Sequence, residues 1–285
     1  MDYANPDALV STDWLADNLT ALGVRVADAT YFLPTAGRDA KAEYAERHIP
    51  GTRFFDIDDI ADGFSDLPHM LPDADTFAAK VGALGIGDGD RVVFYDSTGG
   101  AMAAARAWWT FHVFGHGDVA VLSGGLGKWL AEGRPVTDEA AAPEPRTFTA
   151  VKNPSLVRDT AQLLANLETG AEQVVDARSR ERFEGTAPEP REGLRAGHIP
   201  GSRNLPHPLL HDVGGNGAMR PAEDIAEAVA AAGLDLSRPL VASCGSGVTA
   251  AFLAFGFHLL GKDDVAVYDG SWMDWGGRED TPVET

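Results

Sequence analysis

Cys244 is the only cysteine in this chain of 285 residues, and its surroundings could make its thiol reactive. Residues 240–243 predict a buried strand and Thr249 onward predicts a helix, and the two are joined by Cys244-Gly245-Ser246-Gly247-Val248. Two glycines in so short a turn let several backbone N–H groups converge, and a helix N-terminus adds partial positive charge there. Such surroundings favour a thiolate nucleophile. The alternative is a small buried hydrophobe, as most free cysteines are.

The residue types exclude several other kinds of site. A disulfide needs two cysteines and a thiolate zinc site needs more than one, so neither is possible here. His112 and His116 have the i, i+4 spacing of a metal pair, but no glutamate follows His112 as in a zinc protease helix. We therefore expect no metal and no bound cofactor.

The segments that would position Cys244 occur twice in the chain. Four segments of the first half return in the same order in the second half, displaced by 146 to 150 residues: 26–29 and 174–177, 48–52 and 198–202, 91–96 and 239–244, and 122–129 and 268–275. The chain is therefore predicted to contain two copies of one domain. Asp96 occupies the position of Cys244 in the first copy, so only the second copy can carry out sulfur chemistry. The first copy is expected to act as a scaffold that lends side chains to the site.

Alternation of strands and helices predicts the fold class. Apolar runs such as 173–175 read as strands covered on both faces, and a helix is predicted from Pro221 to just before Gly233. We expect an α/β fold in which each copy is a mainly parallel sheet with helices on both faces, binding ligands at the carboxyl ends of its strands. The polar, proline-bearing stretch between the copies predicts domains at 1–142 and 153–285, with a linker at 143–152.

Composition limits the partners. The chain has 23 basic and 43 acidic residues and a formal net charge of −20, which would repel nucleic acid and anionic membranes. No run of 18 apolar residues and no basic region followed by an apolar core occurs, which predicts a cytoplasmic protein. Excess acid with few lysines resembles the composition of salt-adapted proteins, which is a hypothesis about habitat.

The tandem copies, the paired His-Ile-Pro-Gly segments and the loop from Cys244 to Thr249 resemble the two-domain rhodanese sulfurtransferases. The loop is most similar to that of the 3-mercaptopyruvate sulfurtransferases. The resemblance implies two tandem rhodanese domains and a covalent persulfide on Cys244, with the loop residues Gly245, Gly247, Val248 and Thr249 holding the substrate.

The resemblance also implies roles for side chains outside the loop. A family segment that holds the donor's carboxylate and carbonyl matches residues 182–191, with Glu181 where the family has glycine, and assigns donor binding to Arg182 and Arg191. Their planar guanidinium groups suit a carboxylate. Two segments of the first copy match those that bring Asp58 and His69 to the site, where they would form a proton relay with Ser246. Without the resemblance, His69 would be interpreted as a loop histidine bonded to the backbone and Asp58 as a helix cap.

Together these features predict a sulfurtransferase that takes sulfur from a small anionic donor, 3-mercaptopyruvate, and passes it to cyanide or a thiol, including a thiol of a thioredoxin-like protein. Because no second cysteine exists, the sulfur must leave to an external acceptor. Thiosulfate is the alternative donor, although the family's thiosulfate-specific loops carry Arg and Lys at the positions of Gly245 and Ser246. A persulfide carrier without turnover, a Ser246 hydrolase and a phosphatase stay open. The phosphatase would need an arginine where Thr249 and Ala250 stand.

Overall fold

The computed structural model describes residues 1–285 and contains two parallel five-stranded sheets, one in each copy. The strands of the first copy are β1 (Leu9–Val10), β2 (Val24–Asp28), β3 (Arg53–Phe54), β4 (Arg91–Tyr95) and β5 (Val119–Leu122). Those of the second are β6 (Val157–Arg158), β7 (Gln173–Asp176), β8 (Arg203–Asn204), β9 (Leu240–Ser243) and β10 (Ala266–Tyr268). The strand orders, β1-β5-β4-β2-β3 and β6-β10-β9-β7-β8, are identical once the repeat is taken into account. The predicted α/β fold in two copies is confirmed.

Five helices accompany each sheet. They are α1 (Thr12–Asn18), α2 (Ala40–Glu46), α3 (Ala74–Ala83), α4 (Met102–Val113) and α5 (Gly125–Ala131), followed by α6 (Thr160–Thr169), α7 (Arg180–Phe183), α8 (Ala222–Ala231), α9 (Val248–Leu259) and α10 (Ser271–Trp275). The helix predicted at Pro221 is α8, which Pro221 precedes as N-cap. The helix predicted from Thr249 begins one residue earlier, at Val248.

The two copies meet along α4 and α9. Both helices are buried on nearly all sides, which is why their sequences are mostly apolar on every face, with Arg106 of α4 as a buried exception. Trp108 of α4 packs edge-on against Phe255 of α9, with ring centroids 5.1 Å apart, and one hydrophobic core runs through both copies. The site described below lies at the carboxyl ends of the strands beside this contact, so its walls can come from either copy.

Main-chain hydrogen bonds place Asp96 and Cys244 at equivalent positions. The carbonyl of Asp96 accepts the N–H of Leu126 at 3.0 Å, and the carbonyl of Cys244 accepts the N–H of Trp272 at 3.0 Å. The Asp96 carboxylate accepts the N–H groups of Ala103 and Ala104 at 2.9 and 3.0 Å. The first copy therefore fills the N-terminus of α4 with its own carboxylate, which is a physical reason why it has no anion site there.

The chain between the copies has little regular structure. Residues 143–152, the proposed linker, contain no helix or strand, although Phe148 is buried and Thr149 bonds to Asp88. No helix anywhere in the chain combines the length and apolar character needed to cross a membrane.

Candidate active site

Cys244 follows β9, and its side chain is only 1 % exposed. The N–H of Gly247 donates to Sγ at 3.2 Å, and the Cys244 N–H donates to Ser271 Oγ, also at 3.2 Å. Gly247 has a φ of +82°, a left-handed conformation that favours glycine, and this value lets the loop curl so that its amide reaches the sulfur. No side chain caps α9, which begins directly after Gly247. The sulfur thus lies at an uncapped helix N-terminus, where negative charge is stabilised.

A cavity of about 400 Å³ opens beside this loop. The first copy contributes Tyr31, Phe32, Leu33, Ala36, Thr98, Met102 and Ala103 to its wall, and the second copy contributes all the rest, including Cys244, Gly245, Ser246, Val248 and Thr249. The loop residues named from the sequence therefore line one cavity, apart from Gly247, whose N–H donates to the sulfur. Both copies are needed to form the cavity.

The two predicted arginines lie in the same cavity. Arg182 Nη2 is 2.5 Å from Glu189 Oε2, and a Cβ added at Gly245 would stand 3.3 Å from the same nitrogen, so the guanidinium rests against the cysteine loop. Arg191 Nη2 is 3.3 Å from the hydroxyl of Tyr31, which comes from the first copy. Two guanidinium groups thus line the cavity that Cys244 also lines, as binding of a donor carboxylate requires.

Arg178 also lines the cavity and was not identified from the sequence. Its side chain is fully buried, bonds to both oxygens of Asp176 and lies 2.7 Å from Glu189, so Glu189 bridges Arg178 and Arg182. Burial lowers the pKa of Arg178, but Asp176 and then Glu189 more than offset this, and the pKa is raised overall. The sequence carried one signal: the equivalent residue of the first copy is Thr30, so the arginine is specific to the copy with the cysteine.

His207 is a second cavity residue that sequence reasoning missed. It lies after β8 and lines the wall with Arg182. Burial, then His211 and Arg182, lower the pKa of His207 to about 4, so the ring is neutral at pH 7. Its Nδ1 is buried and has no hydrogen-bond partner.

Of the three residues in the proposed proton relay, His69 and Asp58 lie together and Ser246 lies apart from them. His69 Nδ1 lies 2.7 Å from Asp58 Oδ1, at an angle outside that of a hydrogen bond, and Nε2 is buried with no partner. The ring packs edge-on against Tyr31, with centroids 4.6 Å apart, and this contact places it behind the cavity wall. Ser246 lines the cavity, but no hydrogen bond joins it to His69 in the structure. Neither simpler interpretation holds, because the His69 ring does not bond to the backbone and the carboxylate that caps the local turn is that of Asp56.

The backbone of His69 is unusual. Its φ is +61°, and the equivalent residue of the second copy is Gly217, with φ of +69°. The equivalence follows from the closing bonds of the two loops, Asp62 N–H to Met70 O at 2.8 Å and Asp212 N–H to Ala218 O at 2.9 Å. The left-handed conformation costs a residue with a Cβ roughly 1–2 kcal/mol. An imidazole held at such a cost is consistent with a functional role.

The other predicted features are placed as follows. His48 and His198 each bond through the backbone to a distant segment, Thr137 and Glu284, and so anchor the repeated His-Ile-Pro-Gly segments in their copies. His112 packs against His258 at the contact between copies. No group of three or more His, Cys, Asp or Glu side chains could hold a metal ion.

Comparison with known proteins is consistent with this geometry. The model of the rhodanese-like domain matches the chain twice, at residues 11–132 and 159–278. The chain is 44% identical to 3-mercaptopyruvate sulfurtransferase of Homo sapiens over 273 residues, covering 94% of this chain and 91% of the relative. It is 45% identical to thiosulfate sulfurtransferase of Bos taurus over 284 residues, covering 98% and 94%. The crystal structure of SseA from Escherichia coli, described as a 3-mercaptopyruvate sulfotransferase, matches with a TM-score of 0.84 and 34% identity over 93% of this chain and 98% of that one.

Proposed function

Because this chain belongs to the rhodanese-like family, we propose that it is a sulfurtransferase that moves sulfur from 3-mercaptopyruvate to a thiophilic acceptor through a persulfide on Cys244. One observation carries the proposal: the sulfur of Cys244, held by the Gly247 amide, lies in one cavity with Arg182 and Arg191. A nucleophile, an anion-stabilising loop and a carboxylate clamp are what such a transfer needs.

In the first half-reaction the donor carboxylate and carbonyl bind to Arg182 and Arg191. The Cys244 thiolate attacks the donor sulfur, so a sulfur–sulfur bond forms and the donor's carbon–sulfur bond breaks. The electron pair of that bond goes to the enolate of pyruvate. Ser246 passes the donor's thiol proton to His69, paired with Asp58, and the same proton is returned to the enolate carbon.

In the second half-reaction a thiolate or cyanide attacks the outer sulfur of the persulfide. The sulfur–sulfur bond breaks, and Cys244 leaves as the thiolate with which the cycle began. The Gly247 N–H and the N-terminus of α9 stabilise both the persulfide anion and the departing thiolate. The protein identity of the acceptor, including a thioredoxin-like protein, and the cytoplasmic location stay predictions.

The charge of the loop favours 3-mercaptopyruvate over thiosulfate. Gly245 and Ser246 place no cation beside the sulfur, whereas the arginines stand where a carboxylate would bind. Thiosulfate stays the second candidate, because the identity to the thiosulfate enzyme of Bos taurus is 45% and to the human 3-mercaptopyruvate enzyme 44%. Measuring pyruvate release against sulfite release from the two donors at equal concentration separates the candidates, and faster sulfite release would reverse the preference.

The activity itself is tested with cyanide as acceptor. Wild type is expected to form thiocyanate over many turnovers, and Cys244→Ser is expected to form none above the uncatalysed rate. Ser97→Ala, in the equivalent loop of the first copy, is the matched control and should retain activity. A Cys244→Ser protein that still forms thiocyanate would rule out the persulfide. A wild type that takes up one sulfur but does not turn over would instead be a carrier.

A further inference from the structure

We propose that Arg106 and Asp269 form a buried ion pair whose function is to position His69 against the cysteine loop, across the contact between the two copies. Neither residue lines the cavity, so both would be positioning residues. The inference rests on the proposed function, since it concerns the proton relay of that reaction.

Arg106 lies on α4 in the first copy, and its side chain is 3 % exposed. Nη2 lies 2.7 Å from Asp269 Oδ1, which belongs to the second copy. The same nitrogen donates to the carbonyl oxygen of His69, and Nη1 donates to the carbonyl oxygen of Gly247 at 3.5 Å. One guanidinium therefore joins the histidine, the cysteine loop and the opposite domain.

Asp269 follows β10 and holds the same histidine loop from its other side. Its Oδ2 accepts the N–H of Leu71 at 2.8 Å, two residues beyond His69. The side chain is 4 % exposed, so a charge at this position needs a partner, and Arg106 supplies it. The pair thus fixes the backbone on both sides of residue 70 relative to the second copy.

The two carbonyls that Arg106 binds belong to residues in the left-handed conformation. His69 has a φ of +61° and Gly247 a φ of +82°. A Cβ added at Gly247 would stand only 2.7 Å from Arg106 Nη1, which shows how closely the guanidinium fits against the loop. The indole of Trp109 lies 4.5 Å from the guanidinium carbon and restricts its movement. A lysine could not make these contacts together, because it lacks the planar fork.

The internal repeat indicates that the fold does not need this pair. The residues equivalent to Arg106 and Asp269, at the displacement of 146 that relates His112 to His258, are Phe252 and Ser123. Phe252 packs against His211 in an apolar contact, with ring centroids 5.6 Å apart. The positions equivalent to Arg106 and Asp269 therefore hold no ion pair, and the pair occurs only beside the loop that contains Cys244.

The test separates an effect on His69 from an effect on the cysteine loop. Two rates are measured in wild type, Arg106→Lys and Asp269→Asn: single-turnover persulfide formation from 3-mercaptopyruvate, and alkylation of Cys244 by iodoacetamide. Alkylation needs the thiolate and its loop but no proton relay. Arg25→Met is the control. It also removes an arginine from a buried aspartate, Asp90, but it does so at the amino ends of the strands of the first sheet, away from the site at their carboxyl ends.

We expect Arg106→Lys to slow persulfide formation by on the order of 100-fold, since misplacement by about 1 Å has effects of that size. Alkylation should fall far less than persulfide formation, because the cysteine loop loses only the long contact of 3.5 Å between Arg106 Nη1 and the Gly247 carbonyl oxygen. The donor concentration for half-maximal rate should not change, because Arg182 and Arg191 are untouched. Arg25→Met should lower the melting temperature and leave both rates unchanged. Asp269→Asn retains an acceptor for Leu71 and keeps the measurement possible if Arg106→Lys does not fold.

Two results would overturn the inference. If both rates fall in the same proportion, the pair acts on the cysteine loop or on the fold as a whole. If neither rate falls in a folded variant, the pair has no role in the reaction. A wild type that forms no persulfide would instead contradict the proposed function, so the two failures are distinguishable.

Discussion

The replacement Gly247→Ala tests whether the cysteine loop depends on its tight backbone. Gly247 has a φ of +82°, and an added Cβ would stand 2.7 Å from Arg106 Nη1 and 3.0 Å from the carbonyl oxygen of Asp269. The backbone strain costs roughly 1–2 kcal/mol, and the close contacts with buried atoms cost about 1–3 kcal/mol more. We expect a loss of about 2–5 kcal/mol in the free energy of unfolding.

Gly201→Ala is the matched control for that replacement. Gly201 lies in the same copy with a φ of +73°, and an added Cβ would meet nothing within 4 Å. It should lose only the strain, and the change that alanine makes to the unfolded chain is common to both variants and cancels in the comparison.

Chemical denaturation measures both free energies, and single-turnover persulfide formation measures the site. We expect Gly247→Ala to be less stable than Gly201→Ala by about 1–3 kcal/mol, and to form persulfide at least about tenfold more slowly, because the amide that donates to Sγ is displaced. Equal stability of the two variants, or persulfide formation by Gly247→Ala at the wild-type rate, would refute the reasoning.

Three further predictions concern the cavity. Arg182→Lys and Arg191→Lys should each raise the 3-mercaptopyruvate concentration for half-maximal rate by about tenfold, because a lysine ammonium loses one of the two parallel hydrogen bonds that arginine makes to a carboxylate. Arg180→Lys, on the exposed face of α7, is the control and should leave this concentration unchanged. An equal effect at Arg180 would contradict the assignment of Arg182 and Arg191 to donor binding. Tyr31→Phe removes the hydroxyl 3.3 Å from Arg191 and should raise the same concentration by a few-fold, about 0.5–1.5 kcal/mol, and an unchanged value would show that Tyr31 does not orient Arg191. The pKa of His207 is lowered from 6.5 to about 4, so on acidification the unfolded chain binds this proton before the folded protein does. The free energy of unfolding should therefore fall by up to about 3 kcal/mol as the pH drops from about 6.5 to about 4. The difference in unfolding free energy between wild type and His207→Phe should decrease over that pH range, and a constant difference would refute the assignment.

The fold could be predicted from the sequence because the patterns that indicate its helices and strands are local and occur twice. Apolar runs, the proline before α8 and the repeated segments each predict an element from adjacent residues. The equivalence of Asp96 and Cys244 followed from the same alignment, and the structure confirms it through matching main-chain bonds. What the alignment could not show is that the Asp96 carboxylate occupies the N-terminus of α4, since that depends on a side-chain direction.

Arg106 and Asp269 were missed because each has its partner at a distant position in the chain, whereas Arg178 was missed although its partners Asp176 and Glu189 are close to it in sequence. Arg106 meets Asp269 across more than half of the chain, and no pattern in a single sequence links two such positions. The pKa of His207 is lowered mainly by burial, which depends on how the chain packs around the ring and not on the residues adjacent to it in sequence. The left-handed φ of His69 was equally hidden, although comparison with Gly217 in the other copy would have drawn attention to it.

The central claim is that Cys244 carries the transferred sulfur, and intact mass spectrometry after exposure to 3-mercaptopyruvate without an acceptor tests it most directly. We expect wild type to gain one sulfur atom, located on Cys244 by peptide mapping and lost again on addition of cyanide, and Cys244→Ser to gain none. An unchanged mass in the wild type, or a sulfur atom found on Cys244→Ser, would contradict the claim.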